Sequence, residues 1–205
     1  MTAGAPLAMQ GRDWEVTHDA TGLFYSDRHG ELALPLPALR GAHQAANAGL
    51  ALAMLRHQDQ VTVSEAACAT GMHSVRWPGR LHQLPTGPLT ARREVWLDGG
   101  HNPSAGQALA AHFAGRRLHL IIGMIEGKDP MALCRPLAPR LASVTAVPVP
   151  QHECHEAAAF GAGVSAAADV ADALARLPED GLPVLIAGSL YLAGDVLRRN
   201  GEEPD

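Results

Sequence analysis

The spacing of apolar and polar positions changes character at Gly41. Before it, Trp14-Glu15-Val16-Thr17 and Gly22-Leu23-Phe24-Tyr25-Ser26 are short strand-like runs separated by Asp and Gly. Glu31-Leu32-Ala33-Leu34-Pro35-Leu36-Pro37 follows the turn signal Arg28-His29-Gly30, so the three runs predict a small antiparallel meander that the two prolines end. From Gly41 onward Ala46, Leu50, Ala53, Met54 and His57 recur at three- and four-residue steps, which predicts one long helix. The stretch before that helix reads as a linker or as the tail of a preceding domain, and the division is drawn at residues 1–38 and 39–205.

After Trp77-Pro78-Gly79 strands and helices alternate. Glu94–Leu97, Leu118–Ile122, Val144–Val149 and Pro183–Ala187 are short apolar runs expected to be strands. Between them lie a helix over Ser104–Ala114, one over Pro130–Leu141 that Pro136 and Pro139 should shorten or kink, and one capped by Ser165 and running to Leu177. A last helix carries Leu190, Val196 and Leu197. Short apolar strands alternating with helices imply an α/β domain, a Rossmann-like, mostly parallel sheet with helices on both faces, preceded by the small antiparallel β lead-in.

Composition narrows the function classes. Of 205 residues 47% are hydrophobic and 18% charged, an ordinary balance for a folding chain. The net charge is −5 and the 16 Lys and Arg residues are scattered, so no basic stripe marks a nucleic-acid partner. Cys68, Cys134 and Cys154 are odd in number and far apart, which fits a reducing cytoplasm better than a disulfide framework. No apolar stretch approaches the roughly 20 residues needed to cross a bilayer, so a membrane is not an expected partner.

Ligands of open α/β sheets bind just past the carboxyl ends of the strands. The first strand runs into Asp98-Gly99-Gly100-His101-Asn102-Pro103, the second into Gly123-Met124-Ile125-Glu126-Gly127-Lys128-Asp129, and the fourth into Gly188-Ser189. Taken singly, each cluster has a plain reading, because Asp, His and Asn after a strand also serve as caps and turns. Lys128 also reads as a solvated lysine beside Asp129, Arg80 as the partner of a surface carboxylate, and Asn47 as a helix side chain turned to water. The run from Asp98 to Pro103 offers more: an acceptor for sugar hydroxyls, an imidazole for a carboxylate, backbone open to close approach, and a proline suited to open a helix. After the third strand, Gln151-His152-Glu153-Cys154-His155-Glu156 gathers ligand types for zinc, but with no fourth ligand it is read as a solvated loop.

Together these pieces resemble the carboxy-terminal domain of folylpolyglutamate synthase/dihydrofolate synthase, within the wider Mur ligase superfamily. Gly41-Ala42-His43-Gln44 with Asn47, Pro78-Gly79-Arg80, Asp98–Pro103, Gly123 with Lys128-Asp129, and Gly188-Ser189 occur in that domain's order, between about Gly11 and Leu197. The resemblance implies a ligase that makes an acyl phosphate from ATP and a folate or dihydropteroate carboxylate, which the amine of L-glutamate then attacks. It implies that Asn47 contacts adenine, with His43 and Gln44 shaping that junction, that Asp98 binds ribose, and that Arg80 reaches the terminal phosphate. It further implies that His101, Lys128 and Ser189 hold the glutamate, with Arg80, His101 and Lys128 as the catalytic set. A non-catalytic nucleotide- or amino-acid-binding module on the same scaffold, or a peptidoglycan-precursor ligase, remain alternatives.

No Gly-x-x-x-x-Gly-Lys-[Ser/Thr] run occurs; the single Gly-Lys pair, Gly127-Lys128, leads into Asp129. In the family the phosphate loop and the magnesium ligands belong to an amino-terminal domain. Gly4-Ala5-Pro6-Leu7 leading to Gly11-Arg12-Asp13-Trp14 resembles the end of the central ATPase domain. The chain is therefore expected to lack the P-loop domain, to be inactive alone, and to contribute no metal ligand of its own.

Overall fold

The computed structural model describes residues 7–90 and 93–202, so Gly4-Ala5-Pro6 lies outside the described residues. The chain forms two compact units, Met1–Arg76 and Trp77–Asp205.

In the first unit Trp14–His18 (β1), Leu23–Asp27 (β2) and Gly30–Leu34 (β3) form the expected antiparallel meander. Alternation along the strands turns Leu23, Tyr25, Leu32 and Leu34 to one face, as the period of two requires. The helix His43–Arg56 (α1) covers that face with Ala45, Ala48, Leu52 and Ala53. A second helix, Glu65–Ser74 (α2), was not foreseen, because Met72 is its one buried residue and leaves no apolar stripe to read. Its signal is Ser64, whose Oγ accepts the Ala67 N–H at 3.2 Å as an N-cap. Because both helices pack in one core with the meander, this unit runs past residue 38, where the sequence reading drew its division.

The second unit contains His82–Gln83 (β4), Val95–Asp98 (β5), Pro103–His112 (α3), Leu118–Ile122 (β6), Met131–Leu137 (α4) and Leu141–Ala146 (β7). Ser165–Ala166 (β8), Val170–Arg176 (α5), Val184–Ala187 (β9) and Leu190–Asn200 (α6) follow. The six strands lie in the order β4-β5-β9-β6-β7-β8, all parallel except β4, which pairs antiparallel with β5. Strands buried on both faces should be mostly apolar, and the central strands β5, β9 and β6 are, with His119 the buried exception inside them. Val95, Leu97, Ile121, Val184 and Ile186 pack with α5 and α6, through residues such as Ala173 and Val196. Trp96, Leu120, Ile122, Leu185 and Ala187 pack with α3 and α4, through Leu109, Phe113, Leu133 and Leu137. This is the expected α/β architecture, with helices on both faces.

Two local expectations are corrected. The third strand of the sequence reading lies at Leu141–Ala146 rather than Val144–Val149, because its parallel register with β6 pairs Leu118 with Leu141 and Ile122 with Ala146. Ser165 does not cap a helix; it sits in edge strand β8 opposite Thr145, with the two hydroxyl oxygens 3.1 Å apart. The helix begins at Val170, where the Asp169 carboxylate accepts the Asp172 N–H at 2.8 Å. The two prolines act as foreseen, α4 ending at Leu137 and giving way to a 3-10 turn over Ala138–Arg140. Among the described residues no helix is long and apolar enough to cross a membrane.

The first unit is pinned by one buried carboxylate. The fully buried Asp27 side chain receives Arg56 Nε at 2.9 Å and a second guanidinium nitrogen at 2.8 Å, with the Tyr25 hydroxyl at 3.2 Å and the His29 N–H at 2.8 Å. Burial alone would raise its pKa, but these donors, Arg56 foremost, outweigh burial and bring it down to about 2. A carboxyl depressed in the folded state stabilises it fully above its unfolded value and loses that contribution as the pH falls through the folded value. The first unit should therefore hold its stability above about pH 4 and lose it as the pH falls toward about 2. Asp27→Ala, which strands a largely buried guanidinium, should cost about 3 kcal/mol at neutral pH and abolish that acid dependence, as read by urea unfolding across a pH series.

Candidate functional site at the carboxyl edge of the sheet

Strands β5, β9 and β6 are neighbours, and their register places Asp98 opposite Ala187 and Ala187 opposite Ile122. The three strands therefore end at one level, and each continues into a glycine: Gly99, Gly188 and Gly123. Gly188 has φ +113°, and a Cβ there would come within 2.7 Å of the Gly123 carbonyl oxygen. No L side chain suits that backbone or that contact, so glycine is what lets the two turns meet.

The Asp98 carboxylate ties two loops together. One oxygen accepts the Leu81 N–H at 2.9 Å and the other the Gly100 N–H at 2.7 Å, while the Gly99 N–H donates to the Gly79 carbonyl at 2.7 Å. The segment Pro78–Leu81 is thereby fastened to the end of β5, and Leu81, buried at φ 42°, is held in a conformation that costs a non-glycine residue energy. Arg80 sits between the two fastened residues and is exposed, its guanidinium carbon 5.4 Å from the Trp77 ring centroid. Among the described residues it has no carboxylate partner, so the surface ion pair considered from sequence is not formed.

The remaining candidates lie along the same edge. The His101 ring is half-buried and its Nδ1–H donates to the Gly99 carbonyl at 3.1 Å, which in the neutral ring makes Nε2 the acceptor nitrogen. Asn102 caps α3 by accepting the Ala105 N–H at 2.9 Å, and Pro103 is the first helical residue. Ser189 is buried and caps α6, its Oγ accepting the Tyr191 N–H at 3.1 Å, so its own O–H remains to be donated. Lys128 is exposed beyond β6, and its carbonyl accepts from His155 Nε2 at 2.9 Å. Asp129 faces away from it in bonding terms, accepting the Met131 N–H at 2.9 Å and lying 3.6 Å from Arg135.

The other three expected residues belong to the first unit and open α1. Gln44 is buried, with Nε2 2.9 Å from His43 Nε2 and Oε1 accepting the exposed Asn47 Nδ2–H at 3.0 Å, so the three form one chain of hydrogen bonds. The structure thus brings Arg80, Asp98, His101, Lys128 and Ser189 to one sheet edge, and His43, Gln44 and Asn47 to one helix turn.

The sequence reading missed the service performed by Gln151–Glu156. The loop is mostly exposed, as expected, and its backbone also runs antiparallel to the β6 loop, through an Ile125–Cys154 bridge. His152 stacks on Tyr191 at 3.8 Å between ring centroids. Among the described residues no three His, Cys, Asp or Glu side chains come together as a metal site.

No protein-family model matches the chain. It is 34% identical over 209 residues to a probable bifunctional folylpolyglutamate synthase/dihydropteroate synthase of Halobacterium salinarum, a match covering 95% of the chain and 23% of that protein. It is 27% identical over 187 residues to the dihydrofolate synthase/folylpolyglutamate synthase of Bacillus subtilis, covering 79% of the chain and 40% of that protein. In three dimensions it is similar to the Mycobacterium tuberculosis folylpolyglutamate synthase complexed with ADP and AMPPCP, with a TM-score of 0.75 and 26% identity, covering 97% of the chain and 50% of that structure. The chain therefore spans half the length of these proteins or less.

If the Asp98 carboxylate fastens the Pro78–Leu81 segment, Asp98→Ala leaves two partly buried N–H groups without acceptors and should cost about 2 kcal/mol. Asp98→Asn, with one carbonyl oxygen in place of two acceptors, should cost about half as much. Urea unfolding of the two variants beside the parent chain checks both, and equal stability of all three would show that the fastening does not operate.

Proposed function

Because the chain is a relative of folylpolyglutamate synthases over nearly its whole length, we propose that it is the amino-acid-binding, carboxy-terminal part of an ATP-dependent ligase that joins L-glutamate to folate or dihydropteroate. The observation that carries this reading is the meeting of Asp98, the Arg80 segment, Ser189 and the Lys128 loop at the ends of three neighbouring parallel strands. In an open α/β sheet that edge is where ligands bind.

In the reaction proposed, a substrate carboxylate attacks the terminal phosphorus of ATP and ADP leaves. The amine of glutamate then attacks the acyl phosphate, forming the amide and releasing phosphate and a proton. The exposed Arg80 guanidinium presents a planar set of donors suited to phosphoryl oxygens. The Asp98 carboxylate, oriented by the Leu81 and Gly100 N–H groups, is assigned the ribose contact. Lys128 offers charge, and Ser189 O–H and His101 Nε2 offer hydrogen bonds, to the incoming glutamate. Asn47, ordered by Gln44 and His43, is assigned the adenine contact.

Magnesium accompanies ATP in this proposal. The described residues do not assemble a cluster that could hold it, and the Asp98 oxygens are engaged by backbone N–H groups, so its ligands and the phosphate loop are assigned to a P-loop domain outside these residues. On that plan residues 1–38 close the ATPase domain and 39–205 bind the amino acid, a division by relationship drawn elsewhere than the compact units. A cytoplasmic location agrees with three cysteines that form no disulfide.

Two outcomes test the proposal. The isolated chain should show no glutamate-dependent ADP release above background, since phosphoryl transfer depends on phosphate and metal groups that the described residues do not assemble; robust turnover would overturn the division of labour. Fused to a P-loop domain of the family it should ligate. There Arg80→Ala should lower turnover about 10²- to 10³-fold, the scale for losing one transition-state donor, while changing stability by less than about 0.5 kcal/mol. Unimpaired turnover with a depressed melting temperature would make Arg80 structural.

A further inference from the structure

The loop that leaves β7 touches the segments of both Lys128 and Ser189. On one side it runs antiparallel to the β6 loop: the His155 N–H donates to the Met124 carbonyl at 3.0 Å, and the Glu126 N–H to the Glu153 carbonyl at 3.2 Å. The His155 ring continues this contact, Nε2–H donating to the Lys128 carbonyl at 2.9 Å, and is itself braced edge-on against buried Phe160 at 6.1 Å. On the other side His152, oriented by donation from Nδ1 to the Pro150 carbonyl at 2.7 Å, stacks on Tyr191. Tyr191 is the residue whose N–H Ser189 Oγ accepts.

We propose that Gln151–Glu156 is a clasp for the amino-acid side of the site, and that His155 is the positioning residue for Lys128. The inference rests on the reading of Lys128 and Ser189 as glutamate-holding residues. Glu126, Gly127, Lys128 and Asp129 are all exposed, so packing does not fix this stretch and its backbone hydrogen bonds must. Holding the Lys128 carbonyl sets the direction in which its side chain leaves the loop, and a lysine held near one bearing loses less freedom when it meets a carboxylate.

The test uses two variants. In His155→Ala the ring is lost; in His155→Gln the carboxamide N–H takes the place of Nε2–H. In the 205-residue chain, hydrogen–deuterium exchange should show residues 124–130 exchanging at least about tenfold faster in the alanine variant, with the rest of the chain unchanged and the glutamine variant near the parent. In the fusion to a P-loop domain, the KM for L-glutamate should rise about tenfold in the alanine variant, with the KM for ATP unchanged and recovery in the glutamine variant. Unchanged exchange at 124–130 would overturn the clasp. Faster local exchange with an unchanged KM for glutamate would overturn the positioning role. A parent fusion that ligates nothing would instead overturn the functional reading, while the exchange result would still decide the clasp.

Discussion

The rim depends on the parallel pairing that inserts β9 between β5 and β6. Because Asp98, Ala187 and Ile122 stand at one level across the three strands, the residues that follow each strand emerge together. The ladder continues one step past the strands, the Gly123 N–H donating to the Ala187 carbonyl at 3.1 Å, so the turns are themselves part of the sheet's bonding. A shift of one residue in any of these strands would exchange its two faces, moving Leu185 and Ala187 from one core to the other, and would also carry Ser189 off the rim. The apolar cores on the two faces and the polar edge are thus fixed by the same register.

Much of this was legible in local pattern. The runs Leu118–Ile122 and Pro183–Ala187 are buried, and apolar but for His119, whose ring is partnered by Ser143 and Asp180, as strands covered on both faces require, and the glycine-led loops after them marked the rim. The strand order was not legible, since the insertion of β9 pairs Val184 with residues far away in sequence. The α5 cap failed for a related reason: Ser165 and Asp169 are both good capping residues, and pairing of Ser165 with Thr145 on a distant strand decides between them. The polar side chains of residues 151–156 gave their exposure correctly but not the use of their backbone donors and acceptors along the β6 loop, which is set by a segment distant in sequence.

At Asp98 and Ser189 the structural bond observed and the ligand role proposed are compatible. A carboxylate that accepts a backbone N–H on each oxygen, or a serine oxygen that caps a helix, has its side-chain direction fixed before a ligand arrives. The bond does not exhaust the serine, which accepts the Tyr191 N–H and retains its own proton to donate. Orientation by such bonds is what a binding residue needs, because side-chain freedom lost in advance is not lost again on binding. Weighing each residue from sequence as either structural or functional therefore sets against each other two properties that one side chain holds together.

The same reasoning separates what the second unit can do from what the proposed reaction needs. Fully buried residues such as Phe113 and Ile121 fill the space between the sheet and its helices on both faces, so the platform for the rim is a complete core. Recognition of a small amino acid needs little beyond such a platform: one cation, a few donors and a rigid backbone. Phosphoryl transfer needs charge held against three equatorial oxygens and an in-line nucleophile, and neither a Gly-x-x-x-x-Gly-Lys-[Ser/Thr] run in the sequence nor a metal-holding cluster among the described residues supplies it. The platform can therefore be physically whole while the proposed chemistry is shared with another domain, and Arg80, exposed and without a carboxylate partner among the described residues, is free to take the phosphate-facing role proposed for it.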